Sequence, residues 1–152
     1  MTPRIDILRA THSKAIQPLL ALQGFVNQSV DSHLLHLVQM RASQINGCAY
    51  CIDMHTKDAR AIGETEQRLY ALPAWRETPY FTARERAALA FTEAVTLVAD
   101  GHVPRAEYDA VAAHFNPDEM AALLSLIVTI NAWNGLSVAS RAWEAGSYGA
   151  TQ

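Results

Sequence analysis

Ser43-Gln44-Ile45-Asn46-Gly47-Cys48-Ala49-Tyr50-Cys51-Ile52-Asp53-Met54-His55 reads as the end of one helix, a turn, and the start of another. Asn46-Gly47 is a pair suited to a left-handed helix terminus, and Cys48 follows it directly. Upstream, Leu34, Leu35, Leu37, Val38 and Met40 form the apolar stripe of a helix that Ser29 or Ser32 can cap. Downstream, a helix over residues 48–62 is stopped by Gly63. No strand-period alternation appears anywhere, so this helix–turn–helix centre predicts an all-α fold.

Working outward, Ile16, Leu19, Leu20, Leu22, Phe25 and Val26 recur at helical spacing and predict a first helix over residues 13–28, with Pro18 tolerated in its first turns. A short helix is expected over residues 66–70, with helix breaks at Pro73 and Pro79. Thr82 and Glu85 make a capping box for a helix that continues to Asp100-Gly101. Pro104 opens another helix over Tyr108, Val111 and Phe115. Asn116-Pro117-Asp118-Glu119 then starts a last long one, running to about Trp143. The chain has no internal repeat or linker, so residues 1–152 are expected to form a single-domain bundle of six or seven helices.

Half of the 152 residues are apolar and 18% are charged, enough for a core that needs no disulfide staple or structural metal. A net charge of -3 provides no basic field for phosphates, which argues against a nucleic-acid partner. The amino terminus lacks the apolar core of a secretory signal. The apolar stretch over residues 120–132 is shorter than the ~20 residues that span a bilayer. A cytoplasmic protein without membrane contact is the expectation.

The two cysteines of the chain lie three apart, too close to staple distant segments. In a reducing compartment that spacing points to redox chemistry or metal ligation. Steps of three and four along a helix place Cys48, Cys51 and His55 on one face. Unsatisfied N–H groups in the first turn stabilise a thiolate on Cys48, and an imidazolium at His55 would stabilise one on Cys51. A thiolate that has attacked a peroxide or a disulfide can be resolved by the second thiol one turn away. Two other readings stand beside this one: a zinc site completed by His36 or His33, and ordinary buried cysteines with a core histidine.

The run RASQINGCAYCIDMHTKDA, residues 41–59, resembles the core signature of the AhpD-like alkylhydroperoxidases of the carboxymuconolactone decarboxylase superfamily. Glu85-Arg86-Ala87-Ala88-Leu89-Ala90-Phe91-Thr92-Glu93-Ala94-Val95 and Ile130-Asn131-Ala132-Trp133-Asn134 are similar to later helices of the same group. The resemblance implies an AhpD-like homo-oligomer, a trimer or a hexamer, that reduces a small-molecule hydroperoxide. It makes Cys51 peroxidatic, Cys48 resolving and His55 part of a proton relay. The redox-active Cys48–Cys51 disulfide takes the place of a cofactor, and an external dithiol or thiol-protein is the reductant. A general dithiol-disulfide reductase or redox sensor is the alternative within the same chemistry. Decarboxylation is disfavoured, because it has no need of the cysteine pair.

Two positions depart from the family pattern. Its glutamate twelve residues before the first cysteine falls on His36, so a relay would start from an imidazole, and Glu93 is the candidate to supply the missing carboxylate. Gly135 stands where related sequences place an arginine, at a cost of about 1 kcal/mol in a helix interior.

Overall fold

The structure is a computed structural model that describes residues 2–7 and 16–149. Its first helix, α1, spans Gln17–Ser29 with Pro18 in the opening turn, where an N–H has no intrahelical partner to lose. Residues 13–15 of the expected first helix lie outside the described residues. Helix α2, Ser32–Ile45, is capped by Asp31 instead of Ser29 or Ser32. The Asp31 carboxylate accepts the backbone N–H groups of His33 at 3.1 Å and Leu34 at 3.2 Å. A charged acceptor here both fills the cap and complements the positive helix end.

Helix α3 covers Ala49–Ala61, and Thr65 caps α4, Glu66–Ala71. The helix break expected at Pro73 is present: α4 ends at Ala71, and Pro73 sits in the first turn of a 3₁₀ segment, Leu72–Glu77, where its missing N–H is harmless. The Thr82/Glu85 capping box opens α5, Ala83–Thr96, as the sequence predicts. The helix expected to reach residue 101 is interrupted at Leu97 (φ -98°, ψ 30°), leaving Val98–Gly101 as the separate short α6. Helix α7 is Arg105–Ala112. The Asn116/Glu119 capping box starts α8, Pro117–Ser140, which ends where Arg141 turns left-handed (φ 53°), short of Trp143. The interruption at Leu97 brings the total to eight α-helices among the described residues, which include no strand.

Helices α2 and α8 organise the packing: α2 touches α3, α5 and α8, while α8 also touches α1 and α5. Two faces of α2 feed two apolar clusters. Leu34, Leu35 and Val38 join Val26, Phe91, Leu123, Leu126 and Ile127, whereas Leu37 and Met40 join Leu69, Leu72, Trp75, Phe81 and Leu89. Each such side chain contributes about 1.5–3 kcal/mol by leaving water. By length and composition α8 could cross a bilayer, with 24 residues and a mean hydropathy of 1.5. In the fold it is a core helix whose Leu123, Leu126, Ile127 and Ile130 are buried.

Gly135 sits in the interior of α8 on its exposed face, and a Cβ built there meets nothing within 4 Å. Gly135→Ala is therefore expected to stabilise the fold by roughly 0.5–1 kcal/mol, read as a higher midpoint in urea unfolding. A lower midpoint would mean that a methyl group disturbs a partner of this face.

Candidate active site

The turn that opens the sequence reading is a double cap. Gly47 (φ 65°) ends α2 in a Schellman arrangement, in which Gly47 N–H donates to the Gln44 carbonyl at 3.3 Å and Cys48 N–H to the Ser43 carbonyl at 3.0 Å. Cys48 is at the same time the N-cap of α3, and its Sγ accepts the Cys51 N–H at 3.3 Å. Asn46 pins the turn to α8. Its Nδ2 donates to Asn131 Oδ1 at 2.6 Å and Asn134 Oδ1 at 2.9 Å, and Asn134 Nδ2 donates to Ser43 Oγ at 3.0 Å. The two asparagines that interrupt the apolar α8 thus find their partners across helices, as buried amides must.

Cys48 and Cys51 form a disulfide, with Cα atoms 5.4 Å apart. Both are buried, at 1% and 3% exposure, but only Cys51 lines the cavity of about 350 Å³ enclosed by α1, α2, α3, α8 and Trp143. His55, one turn beyond Cys51, lines the same cavity, and so does His36 from α2. The two imidazole rings lie 6.0 Å apart. Three of the predicted residues, Cys51, His55 and His36, therefore meet in one place, with Cys48 joined to them through sulfur.

The electrostatics of this cluster differ from the sequence expectation of an imidazolium. His55 is 5% exposed, and its Nδ1 has no protein hydrogen-bond partner. Burial, reinforced by the nearby His36, pushes its pKa down to about 3. Burial lowers the pKa of His36 too, while the Asp58 carboxylate and the adjacent Gln39 side chain pull the other way. Nδ1 of His36 and Oε1 of Gln39 also lack hydrogen-bond partners within the protein. With the disulfide closed, both imidazoles are neutral at pH 7.

Glu93 is not among these groups. Its carboxylate accepts Arg41 Nε at 2.7 Å, Trp75 Nε1 at 2.8 Å and a third bond from Arg76. It lines a different cavity, and these donors hold its pKa below the usual carboxylate range despite burial. The reason is geometric: Glu93 reaches from α5 to Arg41 on α2 and to Trp75 and Arg76 of the 3₁₀ segment. His33 is exposed and lies 3.9 Å from Glu64 instead of joining the cysteines. Among the described residues, no three of His, Cys, Asp and Glu converge in a way that could hold a metal ion.

Asp58 supplies the carboxylate that the cavity does contain. It follows His55 by three and Cys51 by seven, so the spacing that united the cysteines and His55 also marked this residue. Its Oδ1 accepts the Tyr148 hydroxyl at 2.8 Å, a bond that pushes the Tyr148 pKa up to about 12. Tyr148 belongs to a tail that crosses α3. Lys57 donates to Asp53 and to the Tyr148 carbonyl, both at 2.8 Å, and Gly146 N–H donates to Asp53 at 3.0 Å. The tail carries Trp143 onto Tyr50, ring centroids 5.9 Å apart, and near-perpendicular to Trp133, ring centroids 6.3 Å apart. No periodicity marks this tail in the sequence, because its place depends on the turn at Arg141.

The sequence profile of the carboxymuconolactone decarboxylase family matches residues 14–94, which include the whole cysteine–histidine cluster. The chain belongs to this family. It is 41% identical over 122 residues to the uncharacterized protein YdfG of Bacillus subtilis (strain 168), covering 80% of this chain and 83% of that one. An Agrobacterium tumefaciens crystal structure, of a protein of unknown function provisionally assigned to AhpD-type antioxidant defence, superimposes with a TM-score of 0.87 at 36% identity, over 94% of this chain and 98% of that one. The debrominase Bmp8 shares the fold, with a TM-score of 0.73 at 17% identity, over 85% of this chain and 70% of that one. This family member is thus AhpD-like in its all-α fold and carries a closed Cys48–Cys51 pair.

Burial of neutral imidazoles links stability to pH. The unfolded chain protonates these histidines below about 6.5, whereas folded His55 resists protonation down to about 3. Their contribution is complete above the unfolded pKa and is lost as pH falls toward the folded one, by at most about 1.4 kcal/mol per pH unit for each group. In urea unfolding of the oxidised protein between pH 7 and 4.5, His55→Leu is expected to flatten the loss of stability. An unchanged slope would mean that His55 is already protonated in the fold.

Proposed function

We propose that the protein is a thiol-dependent peroxidase that reduces hydroperoxides through Cys48 and Cys51. The observation that carries this reading is the asymmetry of the pair: Cys51 lines the cavity beside His55 and His36, while Cys48 is held in the α3 N-cap. In the reduced state, loss of the Cys51 proton to a neutral imidazole yields a thiolate and an imidazolium, each of which stabilises the other. The thiolate attacks the terminal oxygen of ROOH. An S–O bond forms, the O–O bond breaks, and the leaving alkoxide takes a proton to become ROH.

The cysteine is then a sulfenic acid. The Cys48 thiolate, favoured by the helix N-terminus and the Cys51 N–H, attacks the Cys51 sulfur, forming the disulfide and releasing water after protonation. Two thiols and one hydroperoxide give one disulfide, one alcohol and one water. An external dithiol returns the two electrons by exchange, becoming a disulfide itself. Membership of a family that includes AhpD-type proteins supports the reading.

The test is a titration of reduced, chelator-treated protein with an organic hydroperoxide, counting free thiols and mapping the Cys48–Cys51 bond by mass spectrometry. Two thiols are expected to disappear per peroxide, reversibly with a dithiol. Cys51→Ser should abolish reaction, and Cys48→Ser should stop at one sulfenate per chain without turnover. Sustained cycling in Cys51→Ser would overturn the assignment. Oxidation by a disulfide reagent but by no hydroperoxide would make the protein a disulfide reductase or sensor.

A further inference from the structure

The cavity beside Cys51 has a composition of its own. Tyr50, Trp133 and Trp143 meet through their rings on its wall, and Leu35, Met54 and Ile130 add apolar surface. A flat, apolar body gains most from such a wall, by area and by offset stacking. At about 350 Å³ the space is near the small end of the ~300–1,000 Å³ typical of ligand sites, which suits a single ring better than a long acyl chain.

The charges are as selective as the shape. Among the described residues, Asp58 is the acidic lining group, and no Lys or Arg lines the cavity. The nearest cation along α3, Lys57, is committed to Asp53 and the Tyr148 carbonyl. An anionic ligand therefore meets a carboxylate with no compensating positive group. Gln39, 2% exposed, adds a neutral amide to the lining. His36 and His55 add two imidazoles, and no fixed positive charge, to the same lining.

We propose that the substrate of this site is an uncharged organic hydroperoxide with a compact aromatic or similarly flat apolar body, lying against Tyr50, Trp133 and Trp143 with its O–OH group toward Cys51, His55 and Gln39. The proposal rests on the peroxidase reading above and adds its selectivity: anionic hydroperoxides are rejected by Asp58, and hydrogen peroxide lacks the body that the aromatic wall binds.

The experiment compares kcat/KM of the full chain, with dithiothreitol as reductant, for cumene hydroperoxide, its para-carboxylate and hydrogen peroxide. Cumene hydroperoxide is expected to exceed both others at least tenfold. Asp58→Asn should narrow the gap to the carboxylate severalfold, and Trp143→Ala should raise KM for cumene hydroperoxide alone. Equal kcat/KM for the neutral and carboxylated compounds would overturn the proposal and leave the peroxidase reading standing. Failure of every hydroperoxide to react would overturn that reading instead. Tryptophan fluorescence then reads selectivity without turnover: tighter binding of 2-phenyl-2-propanol than of its para-carboxylate supports the neutral-ligand site, and equal binding overturns it.

Discussion

One residue serves two helices at the centre of this protein. Cys48 closes the Schellman turn of α2 with its N–H and caps α3 with its sulfur, so the two helices and the thiol chemistry share a single short turn. The geometry leaves little freedom. Gly47 must take the left-handed conformation, Asn46 must reach α8, and Cys51 must then stand one turn into α3, on the cavity lining. The link from Asn46 to Asn131 and Asn134 is what makes α8 part of the site. It fixes the α2–α3 turn against the helix that supplies Trp133 and Ile130 to the cavity wall.

The same enclosure governs the electrostatics. Burial keeps both imidazoles neutral while the disulfide is closed, and a neutral imidazole is a proton acceptor. In the proposed cycle a thiolate on Cys51 would reverse the balance, because a negative charge nearby favours the imidazolium. The cost of protonating His55 in an apolar site is therefore high in one redox state and low in the other. In the proposed cycle such coupling would let one proton follow the two electrons of the cysteine pair.

The carboxylates show how placement decides role. Glu93 belongs to a motif similar to later helices of the family, yet it ties Arg41, Trp75 and Arg76 together at the junction of α2, α5 and the 3₁₀ segment. Asp58 belongs to the cysteine helix itself and reaches the cavity, where the Tyr148 hydroxyl holds it. An imidazole and a carboxylate thus share the cavity, His36 arriving from α2 and Asp58 from α3.

Much of this was legible from residue order. The 3.6-residue period assigned the helices, the capping boxes at Thr82 and Asn116 set two of their starts, and the i, i+3, i+7 steps placed Cys48, Cys51 and His55 on one face. These features depend on contacts within a few residues, which sequence spacing encodes directly. The partners of Glu93, the neutral state of His55, and the tail that brings Trp143 and Tyr148 across α3 depend on segments tens of residues apart. Only tertiary packing sets the distance and the water content between such segments. For that reason the sequence determined the helices and the thiol pair, while the fold decided which cysteine lines the cavity, which carboxylate stands beside it, and what charge the cavity carries.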